Sequence, residues 1–372
     1  MKKIPIIDLK KQIAPLRDEI DAAIKRVIDN TNFILGNEVE EFENEIQKYC
    51  GVKYAVGVSN GTDAIKLALL ATGIKCRDKV ICPAFTYYAT AGAIAGMGGI
   101  PVFADIEPET YNISLESIEK ILKKDSARKI KAIIPVHLYG QCADMDGILR
   151  IARKYKLKVV EDAAQAFGAE YKGKKAGTIG DCNATSFFPA KNLGAFGDAG
   201  MALTNNRPAA ERVKILRNQG NKDKYYHLMP GYNNRMDAIQ AVVLKVKLKY
   251  LDAQNEMRRK NAEYFNQRLS GLNVKTPFVP EYTTHIYHQY VLRLNSSSSK
   301  LIWHLKNKGI DARVYYPLPL HLQKCFKHLN YKKGDFPESE KAAVRTLAIP
   351  VYPGLTRQEL DYIADSIGEF MQ

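Results

Sequence analysis

The sequence predicts an α/β fold with a largely parallel sheet, followed by a smaller α+β domain. Short β-rich runs alternate with helical patterns between residues 50 and 205, which is typical of a parallel sheet with helices on both faces. From about residue 236 the pattern changes to a long helical stretch and then to mixed elements. A chain of 372 residues is long enough for two domains. We expect a large domain over residues 1–250 and a small one over 251–372.

Six runs in the first region have the composition of strands, and segments such as DAIKLALLA and DGILRIARKY have the apolar spacing of helices. The predicted strands cover 54–59, 79–83, 100–106, 132–138, 158–162 and 185–188. Residues 236–269 predict one long helix, which is followed by the strand-like HQYVLRL and the helix-like LIWHLKNKG. Ligands of parallel sheets bind at the carboxyl ends of the strands, so functional side chains are expected there.

The composition is ordinary for a globular chain, with 46% apolar and 26% charged residues. The chain has no run of about eighteen apolar residues, which predicts no membrane span. The start MKKIPIIDLKKQ has too short an apolar stretch for a signal peptide. The six cysteines are scattered without a CxxC pair, which argues against a zinc site and fits a reducing cytosol. We therefore predict a cytoplasmic protein with no bound metal.

The net charge of +15 suits an anionic partner. The basic residues are nevertheless spread along amphipathic helices, as in RKYKLK and KVKLKY, and no helix-turn-helix, zinc-finger or RNP signature is present. We therefore predict no nucleic-acid partner. A solvated basic surface or a phosphorylated small substrate accounts for the charge equally well.

Lys191 stands alone in the apolar stretch SFFPAKNLGAF. A lysine there loses much of its hydration, which disfavours its charged form and lowers its pKa. A neutral amine is what attacks an aldehyde to form a Schiff base. The alternative is a lysine that extends its amine from a strand end to solvent.

Three other strand ends carry side chains that complement such a lysine. Gly61 opens a helix whose N–H groups can hold a phosphate, although SNGTD also serves as a plain helix cap. Asp162 ends a buried strand and needs a partner such as a protonated pyridine nitrogen, unless it only caps a helix. Tyr87 can stack on a planar ring or pack in the core, and Ser186 can add a hydroxyl to the phosphate site. Together they predict a pyridoxal 5′-phosphate (PLP) site.

The chain resembles the DegT/DnrJ/EryC1/StrS family of sugar-nucleotide aminotransferases almost from end to end. The resemblance is carried by FILGNEVEEFE, SNGTDAI, PAFTYYAT, PVHLYGQCADMD, VVEDAAQAFGA, SFFPAKNLGAFGD, GYNNRMDAIQA, YYPLPLH and IPVYPGLT. It implies PLP fold type I, the aspartate-aminotransferase-like architecture. In that architecture a mostly parallel seven-stranded sheet forms the large domain and a smaller α+β domain follows it.

By this resemblance Lys191 forms the internal aldimine with PLP and later moves a proton, with pyridoxamine 5′-phosphate as the intermediate form. Asp162 pairs with the pyridine nitrogen, and Gln165 faces the cofactor hydroxyl. Arg235 lies near the substrate. The remaining cofactor contacts are Gly61, Thr62, Tyr87, Ala164, Ser186 and, from the neighbouring subunit, Asn233. The resemblance therefore also implies a homodimer.

The implied reaction transfers the amino group of L-glutamate to a nucleotide-linked ketosugar in amino-sugar and cell-surface glycan biosynthesis. HLYGQCADMDGI and YKGKKAG most resemble enzymes that aminate carbon 3, of either a dTDP-3-keto-6-deoxyhexose or a UDP-2-acetamido-3-keto sugar. A carbon-4 keto sugar is the alternative. The candidate sugar contacts, which could instead pack the small domain, are Arg313, Tyr315, Tyr316 and His321.

Two other classes share parts of this pattern. A PLP lyase would keep the lysine and the acid but would not exchange an amino group with a donor. A ligand sensor of the same fold need not keep Lys191, Asp162 and Gln165 together, and their presence argues against it. Sugar dehydratases of the family have histidine in place of the lysine, so Lys191 also argues against that activity.

Overall fold

Helices and strands alternate through most of the computed structural model, which describes residues 3–371. Its α-helices are α1 (Leu9–Ile13), α2 (Arg17–Asn30), α3 (Asn37–Cys50), α4 (Gly61–Ala71), α5 (Ala89–Gly96), α6 (Leu115–Lys124), α7 (Met145–Tyr155), α8 (Arg207–Arg217), α9 (Ala238–Leu248), α10 (Leu251–Arg268), α11 (Ser299–Asn307), α12 (Pro337–Arg345) and α13 (Arg357–Met371). Short 3-10 helices cover Ala14–Leu16, Leu138–Gly140, Leu320–Leu322 and Lys324–Leu329.

The strands are β1 (Tyr54–Val58), β2 (Lys79–Pro83), β3 (Ile100–Ala104), β4 (Ile130–Ile133), β5 (Lys158–Val159), β6 (Glu170–Tyr171), β7 (Lys174–Lys175), β8 (Asn183–Ser186), β9 (Gly200–Thr204), β10 (Asn221–Asp223), β11 (Tyr226–His227), β12 (Tyr290–Arg293) and β13 (Thr346–Ile349). Three two-stranded antiparallel pairs, β6–β7, β10–β11 and β12–β13, stand outside the main sheet.

The main sheet has the strand order β3-β2-β4-β5-β8-β9-β1. The first four strands are parallel, and β9 pairs antiparallel with both β8 and β1. A parallel bridge between Asp162 and Ala184 joins the two halves. Only β9 of the seven strands therefore runs against the others, and the predicted mostly parallel seven-stranded sheet is confirmed.

Several predicted strand bounds are wrong. The run predicted over 132–138 pairs as a strand over Ile130–Ile133, and the run predicted over 158–162 pairs over Lys158–Val159. Beyond these points the strands separate, and single bridges such as Val136 with Asp162 replace continuous pairing. The strand β9 was not predicted, because its role depends on pairing with two distant strands rather than on its own five residues.

The long helix predicted over 236–269 is interrupted at Lys249 and Tyr250. Before the interruption α9 packs against α2 and α3, whereas α10 packs against α13 near the end of the chain. The two helices therefore serve different parts of the core. Apolar periodicity alone does not show this, because both helices have it.

The C-terminal part has its own apolar cluster. Phe265, Leu292, Leu305, Ile349 and Ile363 are buried together, β12 pairs with β13, and α13 packs against α10 and α11. The predicted smaller α+β unit is present. The division of the chain after residue 250 stays a prediction, which this separate cluster supports.

No helix within residues 3–371 is long and apolar enough to cross a membrane. No group of three or more histidine, cysteine, aspartate or glutamate side chains there could hold a metal ion.

Candidate active site

The backbone of Asp162 is held on both sides at the carboxyl edge of the sheet. Its N–H donates to the Pro135 carbonyl at 2.8 Å, and its carbonyl accepts from the His137 N–H at 3.0 Å. On the other side, Asp162 bridges Ala184 just before the end of β8. The side chain therefore leaves the sheet from a rigid position, which suits a functional group that must be aimed.

The Asp162 carboxylate is buried and accepts two hydrogen bonds. Thr90 Oγ1 donates to Oδ2 at 2.8 Å, and the Ala164 N–H donates to Oδ1 at 3.2 Å. Burial raises the pKa of Asp162, whereas these two donors and the positive charge of Lys191 act in the opposite direction. A cation placed against this carboxylate would keep it ionised.

Lys191 lies five residues after β8, in a turn where its N–H donates to the Phe188 carbonyl at 2.8 Å. Burial lowers the pKa of Lys191 to about 8, and the charge of Asp162 partly opposes this shift. Near neutral pH the side chain therefore has a usable fraction of free amine. The sequence-based expectation of a lowered pKa agrees with this environment.

Gln165 connects the loop after β5 to the C-terminal part of the chain. Its Oε1 accepts from the Tyr139 backbone N–H at 2.9 Å, so its Nε2 is the donor to the Tyr316 hydroxyl at 2.8 Å. The Tyr316 ring lies 5.8 Å from the ring of Tyr87, which is 56% exposed. Gln165, Tyr316 and Tyr87, all predicted site residues, therefore lie together.

Gly61 and Ser186 meet where α4 begins. A Cβ at Gly61 would lie only 2.5 Å from the Ser186 Cβ, so this approach requires glycine. Asn60 caps the helix by accepting from the Asp63 N–H at 2.8 Å, and Thr62 is exposed in the first turn. The positive end of the helix dipole and two hydroxyls therefore converge, which suits an anionic group such as phosphate.

Glu161 precedes Asp162 and fixes the same strand end through its own side chain. The carboxylate accepts from His137 Nε2 at 2.8 Å and from the N–H groups of Gly177, Ile179 and Gly180 at 2.6–2.9 Å. Although burial alone would raise the pKa of Glu161, these hydrogen bonds hold it below its usual value. Glu161 is thus a fixed anion that orders the loop beside the site.

Comparison with known proteins decides the family. The model of the DegT/DnrJ/EryC1/StrS aminotransferase family matches residues 15–368. The chain belongs to this family. The predicted family and the predicted aminotransferase class are therefore confirmed.

Similar proteins span the whole length of this DegT-family chain. A "Pleiotropic regulatory protein" of Geobacillus stearothermophilus is 45% identical over 99% of this chain and 98% of its own. A UDP-N-acetyl-3-dehydro-alpha-D-glucosamine 3-aminotransferase of Acidithiobacillus ferrooxidans is 41% identical over 98% and 97% of the two chains. The crystal structure of S. venezuelae DesV "in complex with ketimine intermediate" matches with a TM-score of 0.96 and 37% identity, covering 100% of this chain and 99% of DesV.

Within one chain of this DegT-family protein, Asn233 and Arg235 do not contact Lys191, Asp162 or Gln165. Their segment lies next to the start of α4, because the Ser59 N–H donates to the Asn234 carbonyl at 3.1 Å. Asn233 is exposed. Arg235 Nη1 donates to Asn218 Oδ1 at 3.3 Å, and its buried Nε has no partner among the described residues.

The other candidate sugar contacts divide into two groups. Tyr315 and Tyr316 lie next to Gln165 and Tyr139. Gln165 donates to the Tyr316 hydroxyl, and the Tyr139 hydroxyl donates to the Tyr315 carbonyl. Arg313 is exposed and pairs with Asp311 at 3.0 Å, whereas His321 is buried with Nε2 bonded to Glu340 at 3.1 Å. The structure does not bring these last two into contact with Gln165 or Lys191, so their role as sugar contacts stays a prediction.

Four residues that support the site are not indicated by their sequence pattern as site residues. Thr90 contacts Asp162 from a helix 72 residues earlier, and nothing in its local pattern indicates this. Asn192, which follows Lys191, forms a buried hydrogen bond with His288. Lys247 donates to the Gly194 carbonyl in the loop that carries Lys191. Only Asn192 had a signal, its position directly after the lysine.

Proposed function

We propose that this chain uses PLP to transfer the amino group of L-glutamate to carbon 3 of a nucleotide-linked ketosugar. The observation that supports this most directly is Lys191, an amine with a pKa lowered to about 8, beside the buried carboxylate of Asp162. An amine in this state can bond an aldehyde near neutral pH. An acid held at a sheet edge can neutralise a cationic ring nitrogen.

The residues present fit this cofactor. The close contact of Gly61 with Ser186 leaves the first turn of α4 open to a phosphate, and Thr62 adds an exposed hydroxyl. The partly exposed Ala164 and the exposed ring of Tyr87 offer two surfaces for a flat ring.

Each residue then has a separate task. When bound, PLP supplies an electron sink for charge that develops at the donor carbon. Lys191 Nζ would accept the proton from that carbon and deliver it to the aldehyde-derived carbon of the cofactor, which its lowered pKa permits near neutral pH. Asp162 would stabilise the positive charge of the ring nitrogen, and Gln165, fixed by Tyr139, would orient the ring hydroxyl.

The sugar assignment is supported by the relative that acts on UDP-N-acetyl-3-dehydro-alpha-D-glucosamine, which matches nearly the full length. Tyr316 accepts a hydrogen bond from Gln165 at 2.8 Å, which supports our proposal that it contacts the sugar. Tyr315 adjoins it. We propose a UDP-linked or dTDP-linked 3-keto sugar as the acceptor. A cytoplasmic location is part of the proposal, supported by six cysteines that are all free thiols.

We also propose that the active unit is a homodimer in which Asn233 of the partner subunit completes the phosphate site. Exposed apolar side chains surround the start of α9. Phe33 accepts at its carbonyl from the Ala238 N–H, and Phe196 donates its N–H to Gln240 Oε1. Both phenylalanines are more than 40% exposed, as are Tyr225 and Tyr226 of the β10–β11 hairpin. Such a surface is typical of a protein interface.

The first experiment is an absorbance spectrum of the purified protein before and after L-glutamate. We expect a band at roughly 410–430 nm for lysine-bound PLP and its replacement by a band near roughly 330 nm. Nucleotide 3-keto and 4-keto sugars are then tested for their ability to restore the first band. A band that glutamate leaves unchanged would contradict glutamate as the donor. A protein that never gains the band on reconstitution with PLP would contradict the enzyme proposal and favour a sensor.

The dimer is tested separately by mixing two inactive variants. Lys191→Ala and Asn233→Ala each lose activity if both residues are needed, but a mixed dimer has one intact site. Activity should therefore appear after the two proteins exchange subunits. Continued inactivity of the mixture, with light scattering showing a monomer, would contradict the shared site.

A further inference from the structure

A buried polar cluster is formed around Asn192, the residue that follows Lys191 in the chain. Asn192 Nδ2 donates to Asn255 Oδ1 at 2.7 Å and to the Ile286 carbonyl at 3.3 Å. Asn192 Oδ1 contacts His288 Nδ1 at 3.1 Å. All three polar side chains are at most 9% exposed. The cluster therefore connects the lysine loop to α10 and to the segment that precedes β12.

The hydrogen bonds fix the orientation of each group. The Ile286 carbonyl can only accept, so the nitrogen of the Asn192 amide must face it. The amide oxygen then faces His288, and an oxygen can bond only to a nitrogen that carries hydrogen. His288 must therefore carry hydrogen on Nδ1.

His288 is also held in its neutral form. Burial lowers the pKa of His288 well below its usual value, and the nearby charges of Lys191 and Arg258 and the ring of His285 lower it further. A neutral imidazole with hydrogen on Nδ1 has none on Nε2. The ring therefore adds no positive charge near Lys191 and donates through a single nitrogen.

We propose that His288 is a positioning residue for Lys191, acting through the Nδ1–H bond that anchors Asn192. Because Asn192 is bonded covalently to Lys191, this anchor fixes the backbone from which the amine reaches toward Asp162. The inference rests on the proposed function, since it assumes that Lys191 bonds the cofactor. It adds that a residue of the C-terminal segment sets the orientation of that lysine.

Two substitutions distinguish the nitrogens of the ring. His288→Asn places an amide nitrogen near the position of Nδ1 and can still donate to Asn192. His288→Gln places its amide near the position of Nε2 and loses that bond. The measurement is the rate at which cofactor-free protein forms its adduct with PLP, followed by absorbance from pH 6.5 to 9.5, with the melting temperature recorded for each protein.

We expect His288→Asn to react within about threefold of the wild-type rate and His288→Gln to react at least about tenfold more slowly, because a small misplacement of a reacting group is costly. The melting temperatures of the two variants should be similar. Equal slowing of both variants, or of neither, would overturn the proposal. His288→Leu removes the same bond, leaves the bonds of Asn192 to Asn255 and Ile286 in place, and should slow the reaction likewise. It decides the question if His288→Gln does not fold.

His285 provides a matched control in the same segment. It is also buried, and its ring stacks on Tyr287 at 4.0 Å and accepts from the Tyr287 N–H rather than contacting Asn192. His285→Gln should react at the wild-type rate. If it is slowed as much as His288→Gln, the effect is a general loosening and the proposal is wrong. Wild-type protein that forms no adduct would overturn the proposed function itself, whereas a reactive wild type with indifferent His288 variants overturns only this inference.

Discussion

Two lysines in this chain have similarly lowered pKa values but different surroundings. Burial lowers the pKa of both Lys191 and Lys247 to about 8. Lys191 lies in the loop after β8 and feels the charge of Asp162. Lys247 lies on α9, where its Nζ donates to the Gly194 carbonyl and sits 5.8 Å from the ring of Phe196.

The difference shows that a lowered lysine pKa does not by itself identify a reactive amine. The partner of Lys247 is a backbone carbonyl of the loop that carries Lys191, so the hydrogen bond holds that loop against α9. Gln240, also on α9, accepts from the Phe196 N–H of the same loop. Lys191 instead interacts electrostatically with the buried carboxylate of Asp162, and Ser186, five residues before it, approaches Gly61 at the start of α4. The surroundings, rather than the pKa, therefore favour Lys191 over Lys247 as the proposed reactive amine.

The largest expected effect separates the two lysines directly. Lys191→Ala should lose the band at roughly 410–430 nm and at least about a thousandfold in turnover, since it removes both the bonding and the proton-moving amine. Lys247→Met should keep the band. Absorbance and steady-state rates are measured on both. A band that survives in Lys191→Ala would mean that the wrong lysine has been assigned.

Replacing the acid that faces Lys191 should have the next largest effect. Asp162→Asn keeps the size of the side chain and removes its charge, which should reduce the rate of amino transfer by about a hundredfold to a thousandfold. Thr90→Val, which removes only the hydroxyl at 2.8 Å from Asp162, should reduce the rate of amino transfer much less. The half-reaction with L-glutamate is followed by stopped-flow absorbance. Equal rates for Asp162→Asn and the wild type would show that the carboxylate does not act on the cofactor.

The pH dependence of adduct formation measures the environment of Lys191. With a pKa of about 8, the free-amine fraction of Lys191 should rise about tenfold from pH 7 to 9 and then level off. An ordinary exposed lysine, with a pKa of about 10.4, would gain about a hundredfold over the same interval without levelling. The rate of PLP addition to cofactor-free protein gives this profile. A rate that still climbs at pH 9.5 would refute the lowered pKa.

The smallest expected effect concerns the anchoring lysine. Between about pH 8 and 10.5 unfolded Lys247 still holds a proton that the folded state has released, so wild-type stability should rise with pH relative to Lys247→Met. The free energy of unfolding of the wild type, relative to that of Lys247→Met, should rise by at most about 1.4 kcal/mol per pH unit. Denaturant unfolding at several pH values measures it.

Lys245 is the matched control on the same helix, because it is paired with Glu41 at 2.6 Å and its pKa is raised by that hydrogen bond. The difference in the free energy of unfolding between the wild type and Lys245→Met should not rise over the same pH range. A flat difference for Lys247→Met as well would show that its amine is solvated in the folded state.

The sequence determined the class of fold and the chemistry of the central residues. The alternation of strands and helices predicted the sheet, and a lone lysine in an apolar stretch predicted an amine of lowered pKa, because burial and hydration depend on local composition. The residues at strand ends followed from the same pattern. The strand bounds and the interruption of the long helix could not be predicted from that pattern, since pairing and packing with distant segments decide them.

Only the tertiary structure decided which side chains support that chemistry. Thr90, His288 and Lys247 come from segments far from Lys191 in the chain, yet they contact Asp162, Asn192 and the lysine loop. The functions of these residues depend on contacts across 53 to 96 positions, which no local pattern encodes. A sequence therefore indicates which groups can react, whereas long-range packing sets how they are held.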